Sequence, residues 1–219
     1  MNKNIEPVLT LIRKSSVESL RNEDYVIALI RAFGLTFEKK HPEDYGDDQK
    51  YMNGPGETGI YQTPSQFAKY LIYLSHQNIN SYLEIGVYQG GTFLFTFNYL
   101  SRFTGGFTAT ALDITAKYMR NDIIPHIKLT IGTSRMLKGN TYDLVFIDAD
   151  HAYEAVKEDF NNVGVFAKIC AFHDINNHQC PGSVKFWNEI KAKQGAIEFL
   201  TNSQNKCIHG IGLIHMYNG

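Results

Sequence analysis

The spacing of apolar residues changes from helical to strand-like about sixty residues into the chain. The helical part is marked by Val26, Leu29, Ile30 and Phe33. Asn22 is the predicted N-cap of this helix and Gly34 its predicted end. The run Ser15-Ser16-Val17-Glu18 is typical of a capping box and predicts an earlier helix start. The polar stretch from Lys39 to Gly59 predicts a long loop that is either solvated or a lid over a site.

From Thr63 onward the pattern predicts alternating helices and strands. Thr63-Pro64-Ser65-Gln66 combines an N-cap, a proline and a capping-box glutamine, so it predicts a helix to about His76. The predicted strands are Tyr82–Ile85, Phe107–Leu112, Ile127–Ile131, Leu144–Ile147, Ile169–Phe172, Ile197–Leu200 and Gly210–Met216. The predicted helices between them are Gly91–Leu100, a short one near Lys117, Ala152–Phe166 and Val184–Lys193.

This alternation is typical of an α/β fold with a doubly wound, Rossmann-like, mainly parallel sheet. We expect seven strands. The last two predicted strands have no helix between them, so they should form an antiparallel hairpin at one edge. The residues before 61 should form a helical extension at the N-terminus.

A glycine-rich turn follows the first predicted strand. The strand ends in Glu84-Ile85-Gly86, and Gly90-Gly91 opens the next helix. Glycine allows close backbone approach, and a helix start offers N–H groups to a carboxylate or phosphate. The carboxylate of Glu84 would repel a pyrophosphate but would hold a cationic amino group. Asp113 ends the next strand, where a carboxylate can accept ribose hydroxyls. These features predict a nucleotide-type cofactor site; the alternative is that the glycines only form a tight turn.

The same residues resemble the motifs of a known superfamily. Glu84-x-Gly86-x-x-x-Gly90-Gly91 with Asp113 resembles the first two motifs of class I S-adenosylmethionine-dependent methyltransferases. The run from Phe146 to Glu154 (FIDADHAYE) resembles a motif of the small O-methyltransferases, which include catechol, caffeoyl-CoA and natural-product sugar O-methyltransferases. The resemblance extends from about Gln62 to the C-terminus. It implies a catalytic domain over residues 61–219 that binds S-adenosylmethionine.

The resemblance also implies roles for individual residues. Gly86 would lie under the methionine part of the cofactor, and Asp113 would bind the ribose. Ser134 and Arg135 would contact the adenine, although they are also an ordinary helix start. The implied cofactor-binding residues are Glu84, Gly86, Gly90, Asp113, Ser134 and Arg135.

Two aspartates suggest a metal site. Asp148 and Asp174 end neighbouring strands about 4.8 Å apart, so their carboxylates are expected to converge on a hard cation. Magnesium there would hold two neighbouring hydroxyls of the methyl acceptor and lower their pKa. Metal-dependent relatives commonly carry an amide or acid directly after the second aspartate, whereas this chain has Ile175. Asn176 or Asn177 is the candidate for the missing oxygen ligand.

His151 is the predicted catalytic base. It lies where relatives carry a basic catalytic residue, and imidazole suits removal of a hydroxyl proton near neutral pH. Asp150 is the second candidate base. The alternative for His151 is a helix-start histidine bonded to nearby backbone. A zinc site of His173, His178 and Cys180 is not favoured, because a fourth ligand at the usual spacing is missing.

Composition limits the partners. The net charge of -1 and the short basic runs argue against nucleic acid. No apolar run approaches the roughly 20 residues of a membrane span, and the N-terminus lacks a signal-peptide pattern. The three cysteines form no CxxC motif, so a cytoplasmic location is expected. We expect a hydroxylated small molecule (a sugar, catechol or natural product) as acceptor, and the amphipathic N-terminal helices offer a contact for a homodimer.

Two other functions remain open at this point. An NAD-dependent oxidoreductase of the Rossmann type expects Gly-x-Gly-x-x-Gly, but Tyr88 stands at the second glycine. A non-catalytic module that only binds a ligand or partner is the second alternative. It is disfavoured because Asp148, Asp150, His151 and Asp174 all retain chemically capable side chains.

Overall fold

The helices and strands of the protein come from a computed structural model that describes residues 5–36, 48, 50–51, 59–121, 123–192, 195–200 and 209–216. The helices are α1 (Glu6–Lys14), α2 (Glu23–Phe33), α3 (Pro64–Leu74), α4 (Gly91–Leu100), α5 (Tyr153–Asn162) and α6 (Pro181–Lys191). The strands are β1 (Ser81–Ile85), β2 (Thr108–Asp113), β3 (Leu129–Ile131), β4 (Leu144–Ile147), β5 (Ile169–His173), β6 (Ala196–Phe199) and β7 (Ile211–His215). Short 3-10 turns cover Ser19–Arg21, Ile124–His126, Ser134–Leu137 and Gly164–Phe166.

The seven strands form a single sheet in the order β3-β2-β1-β4-β5-β7-β6. The strands from β3 to β5 are parallel, and β7 is antiparallel to both β5 and β6. The predicted doubly wound sheet and its edge hairpin are therefore confirmed. The strand order reverses between β1 and β4, which is where ligands bind in sheets of this kind.

Alternating side chains of the strands face two separate helical layers. Tyr82 and Phe146 pack in the core formed with α1 to α4, whereas Leu83 and Val145 pack in the core formed with α5 and α6. This follows from the twofold alternation of side chains along a strand. Because both faces of β4 are buried, its sequence Leu144–Ile147 is continuously apolar.

The N-terminal helices differ in part from the sequence prediction. Asn22 caps α2 through its side chain, which accepts the N–H of Tyr25 at 2.9 Å, and Gly34 ends the helix at φ +99°. Both features are as predicted. Ser15 does not form the predicted capping box but closes the unpredicted helix α1 by donating to the Leu11 carbonyl at 2.7 Å. The start predicted in this run lies one residue later, where Ser16 Oγ accepts the N–H of Ser19 at 3.0 Å before the 3-10 turn. A serine directly after a helix can form a hydrogen bond at the C-terminus of that helix. The sequence alone does not show on which side of Ser15 the helix lies.

The apolar faces of α1 and α2 lie inside the protein. Leu9, Ile12, Val26 and Ile30 are fully buried in the core shared with α3 and α4. The face that we assigned to a homodimer contact is therefore used within this chain. In the described residues, no helix is long and apolar enough to span a membrane.

Three further predictions change in detail. Helix α3 begins at Pro64 as predicted, but Thr63 makes no side-chain cap and Gln66 instead accepts the N–H of Gly210 at 3.0 Å. The helix expected near Lys117 is a turn. Most of the predicted loop from Lys39 to Gly59 lies outside the described residues.

Candidate functional site

The glycine turn between β1 and α4 is shaped by contacts within the backbone. Gly86 has φ +87°, and a Cβ there would lie 2.2 Å from the carbonyl oxygen of Asp148. Tyr88 also adopts a left-handed conformation, at φ +49°. Asp113 holds this turn, because its Oδ2 accepts the N–H of Tyr88 at 2.9 Å and its Oδ1 accepts that of Thr115 at 3.1 Å. Glycine at position 86 is thus required by the packing of β1 against β4.

Two adjoining cavities lie at the carboxyl ends of the strands. The larger has a volume of about 530 Å³ and is lined by Asp113, Ser134, Arg135 and Asp150, among others. The smaller has a volume of about 300 Å³ and is lined by Glu84, Gly90 and His151, among others. Gly86, Tyr88, Asp148 and Ala149 line both. All six predicted cofactor-binding residues therefore line one connected cleft.

The segment before α3 closes one side of the smaller cavity. Leu35 and Ile60 form a parallel bridge, and Thr36 and Tyr61 line the cavity beside them. A Cβ at Gly91, the first residue of α4, would lie 1.9 Å from the carbonyl oxygen of Gly59. Glycine at 91 therefore lets this wall approach the start of the helix.

Glu84 is a buried acid in β1 rather than a residue of the turn itself. It is 1% exposed and accepts the hydroxyl of Tyr82. Burial raises the pKa of Glu84 well above its usual range, the Tyr82 hydrogen bond opposes that rise, and the nearby Asp148 adds to it. Burial therefore disfavours the carboxylate form, which a nearby positive charge would favour.

Ser134 and Arg135 lie on the 3-10 turn after β3. Ser134 is buried, and its hydroxyl accepts a hydrogen bond from Asn162 Nδ2 at 2.9 Å. Arg135 pairs with Glu158 through two guanidinium nitrogens. The ion pair holds the arginine at the rim of the larger cavity, as both of its members line that cavity.

Asp148 is held by two side chains that the sequence did not connect with it. Its Oδ2 accepts Gln62 Nε2 at 2.9 Å, and its Oδ1 lies 3.1 Å from His173 Nδ1. Burial alone would lower the pKa of His173, but the carboxylates of Asp148 and Asp174 outweigh it and raise that pKa to about 10. The two carboxylates thus favour the protonated form of His173.

Asp174 is the centre of a group of nitrogen donors. Its backbone is left-handed at φ +58° and its side chain is buried. Its Oδ1 accepts Asn177 Nδ2 at 2.9 Å and His209 Nδ1 at 3.1 Å. Burial would raise the pKa of Asp174, but the two imidazoles of His173 and His209 lower it well below its usual range. The anion is thus the stable form.

The carboxylates of Asp148 and Asp174 lie on either side of one imidazole, and the donor set around them does not fit magnesium. Mg²⁺ prefers oxygen ligands in octahedral geometry. Here His173 Nδ1 lies 3.1 Å from Asp148 Oδ1 and 3.3 Å from Asp174 Oδ2, so an imidazole lies between the carboxylates. Asn176 is exposed, and it is Asn177 that reaches Asp174. Within the described residues, the other groups that face these carboxylates are amide nitrogens, an imidazole nitrogen and a thiol.

The two candidate bases lie on different cavities. His151 lines the smaller one, with Nε2 3.5 Å from Asp174 Oδ2 and Nδ1 3.4 Å from Ser183 Oγ. Asp150 is exposed on the larger one, and its Oδ1 accepts the N–H of Ala152 at 2.9 Å just before α5. His151 thus contacts the side chains of Asp174 and Ser183.

Comparison with known proteins agrees with the resemblance read from the sequence. Residues 83–174 match the family model described as a methyltransferase domain, whereas curated proteins give no match. Among solved structures, an O-methyltransferase from Bacillus cereus in complex with S-adenosylhomocysteine has a TM-score of 0.55 at 15% identity, covering 91% of this chain and 100% of that one. The O-methyltransferase TomG from Streptomyces achromogenes, in complex with S-adenosylmethionine, has a TM-score of 0.54 at 11% identity, covering 83% and 91%. A putative O-methyltransferase from Klebsiella pneumoniae has a TM-score of 0.53 at 13% identity, covering 88% and 95%.

Proposed function

We propose that this chain, which has the fold of the class I S-adenosylmethionine-dependent methyltransferases, transfers a methyl group from that cofactor to a hydroxyl group of a small molecule. The observation that carries the proposal is the connected cleft at the strand-order reversal. It contains the glycine turn, a strand-end acid and a histidine next to a buried aspartate.

The two cavities suit the two ends of the cofactor. In our proposal the adenosine occupies the larger cavity with its ribose hydroxyls at Asp113. Each oxygen of that carboxylate already accepts one N–H and retains capacity for a further hydrogen bond. The methionyl part occupies the smaller cavity with its amino group at Glu84, and Gly86 lies where the cavities meet. This arrangement brings the sulfonium close to the shared wall of the cleft.

His151 is the proposed base for the acceptor hydroxyl. A sulfonium is a good leaving group, so the protein needs mainly to align the acceptor and remove its proton. The anionic Asp174 favours an N–H at Nε2 of His151, which leaves Nδ1 to accept a proton. Asp174 is then a positioning residue that stabilises the imidazolium. Asp150, on the larger cavity, is assigned to the cofactor side of the cleft.

The acceptor class follows from this chemistry. A neutral imidazole suits a hydroxyl that develops negative charge as it attacks, as in a sugar, a catechol or another hydroxylated natural product. No step in the proposal uses magnesium, since the donor set does not fit it. We also propose a cytoplasmic location, supported by Cys170 and Cys180, which form no disulfide.

Binding and turnover assays test the proposal separately. Titration with S-adenosylhomocysteine should show near-stoichiometric binding, whereas NADH should not bind; the opposite result would favour an oxidoreductase. Methyl transfer from labelled cofactor to a panel of hydroxylated small molecules should then identify an acceptor. Tight cofactor binding with no transfer to any metabolite fraction would instead favour a non-catalytic binding module.

A further inference from the structure

Two side chains from separate parts of the sequence converge on one oxygen of Asp174. Its Oδ2 lies 3.5 Å from His151 Nε2 and 3.5 Å from Cys180 Sγ, and the three atoms are all within 4.8 Å of one another. Zinc bonds of about 2.0 Å to oxygen, 2.0–2.1 Å to nitrogen and 2.3 Å to sulfur, at tetrahedral angles, separate O from N by about 3.3 Å and O from S by about 3.5 Å. The two measured separations therefore match edges of a zinc tetrahedron.

The second atoms of these ligands are also held in place. His151 has Nδ1 3.4 Å from Ser183 Oγ, and Asp174 has Oδ1 bonded to Asn177 and His209. Metal ligands in proteins are commonly oriented in this way by a hydrogen bond to the atom that does not touch the metal. Cys180 precedes the first turn of α6, where the helix dipole favours a negative charge such as a thiolate. Each of His151 and Asp174 thus has a partner at the atom that would not touch the metal, and Cys180 lies at a helix start.

One member of the group, His151, reaches the smaller cavity. Asp174 and Cys180 are buried, whereas the side chain of His151 is 38% exposed and lines the smaller cavity. Three protein ligands with an open position are typical of zinc sites that bind water or a substrate oxygen. A thiolate with an imidazole selects Zn²⁺ or Co²⁺ over Mg²⁺.

The second group around Asp174 is less suited to an ion. It consists of His173, Asp174 and His209, all buried. The two imidazole rings stack at 5.3 Å with an angle of 11° between their planes. Because the lone pairs of an imidazole lie in the ring plane, stacked parallel rings direct them side by side rather than at one point. These nitrogens serve Asp174 as hydrogen-bond donors instead.

We propose that His151, Asp174 and Cys180 bind a thiophilic divalent cation such as Zn²⁺ beside the smaller cavity, in a form of the protein in which His151 does not act as the base. The cation takes the lone pair of His151 Nε2, the histidine proton moves to Nδ1 beside Ser183, and the thiol proton of Cys180 is released to solvent. Base catalysis as proposed above requires the opposite tautomer of His151. Metal binding and that catalytic role therefore exclude each other, and the site itself does not depend on methyl transfer.

Cobalt is the probe that tests the site. Metal-free protein titrated with Co²⁺ should develop the near-ultraviolet absorption of a thiolate–cobalt bond and saturate with equimolar metal. Mg²⁺ should produce no change, and Zn²⁺ should displace the cobalt and remove the band. A wild-type protein that shows no thiolate–cobalt absorption overturns the proposal, whatever the outcome of the methyl-transfer assays.

Variants test whether the thiolate–cobalt absorption comes from these residues. Cys180→Ser should abolish it. Cys170→Ser, which alters a buried cysteine of β5 in the core beneath α5 and α6, should keep it. Cys207 lies outside the described residues. Loss of the band in Cys207→Ser instead of Cys180→Ser would overturn the assignment to Cys180. His151→Ala retains the thiol but should weaken cobalt binding at least about tenfold.

A band that survives Cys180→Ser in folded protein overturns the proposal. If that variant does not fold, judged by thermal melting, His151→Ala decides, because its partly exposed side chain can be shortened with little cost to the core. Unchanged cobalt affinity in His151→Ala then counts against the site.

Discussion

Replacing Glu84 with glutamine is expected to remove a proton release that accompanies cofactor binding. Glu84 is 1% exposed, and burial raises its pKa, so the neutral carboxyl is favoured in the ligand-free protein. The cationic amino group of the cofactor, placed in the smaller cavity, would stabilise the carboxylate instead. The side chain then loses its proton on binding. Glutamine keeps an oxygen that accepts the Tyr82 hydroxyl but has no proton to release.

The size of the effect follows from linkage. The pKa of Glu84 is raised in the ligand-free protein and lowered in the complex, so affinity rises with pH between those two values and is constant outside them. For a single proton the rise is at most about tenfold per pH unit, or about 1.4 kcal/mol. Asp148 and His173 also interact with Glu84, and because both remain in the variant, the difference between the two proteins reports Glu84 itself.

Titration calorimetry with S-adenosylhomocysteine measures both quantities. At each pH the wild type and Glu84→Gln are compared in two buffers with different enthalpies of ionisation. The wild type should show a buffer-dependent heat and an affinity that rises with pH, and the variant should show neither. A wild type whose affinity and heat are independent of pH and buffer, or a folded variant with the same pH dependence, would refute this account of Glu84.

Three other substitutions test the remaining parts of the site. Asp113→Ala removes a charged hydrogen-bond acceptor that holds the glycine turn and makes the proposed ribose contact. S-adenosylhomocysteine should therefore bind at least about tenfold more weakly. Unchanged affinity by calorimetry in folded protein would remove Asp113 from the site. His151→Ala should slow methyl transfer by about 10²–10⁴-fold, whereas Asp150→Ala should mainly weaken cofactor binding. Neither adding magnesium nor omitting it should alter the rate of the wild-type protein. Equal rate losses in the two variants, or a requirement for magnesium, would contradict the assignment of the base. Gly86→Ala places a Cβ 2.2 Å from a carbonyl oxygen at φ +87°, so it should destabilise the protein by more than about 1 kcal/mol, while Gly105→Ala, in open space, should melt like the wild type.

The sheet could be predicted from local patterns because the sequence of each strand is recognisable by itself. Helix α4 and strand β4 have the predicted bounds, since a glycine pair marks the start of one and an uninterrupted apolar run defines the other. Helix α1 was missed because the serines that follow it can lie at either end of a helix. Ser15 ends that helix, and the sequence pattern was interpreted as a start.

The candidate site was predictable only where it follows the strand ends. Asp113, Asp148 and Asp174 could be placed at one edge of the sheet because parallel strands end together. The partners of the last two could not: Gln62 lies 86 positions before Asp148, and His209 lies 35 positions after Asp174. No periodicity or spacing connects such distant residues. The histidine-rich environment of Asp174, which argues against magnesium, becomes visible only in the folded chain.

The contact between Gly59 and Gly91 has a consequence for attempts to engineer this protein. A truncation at residue 60, between the helical extension and the sheet, would cut through the wall that Thr36, Gly59 and Tyr61 provide for the smaller cavity. A chimera that exchanged only the sheet domain would join a foreign wall to the start of α4, where a carbonyl oxygen must fit against a residue without a Cβ. A library intended to change the acceptor should therefore vary Thr36 and Tyr61 while both glycines stay fixed.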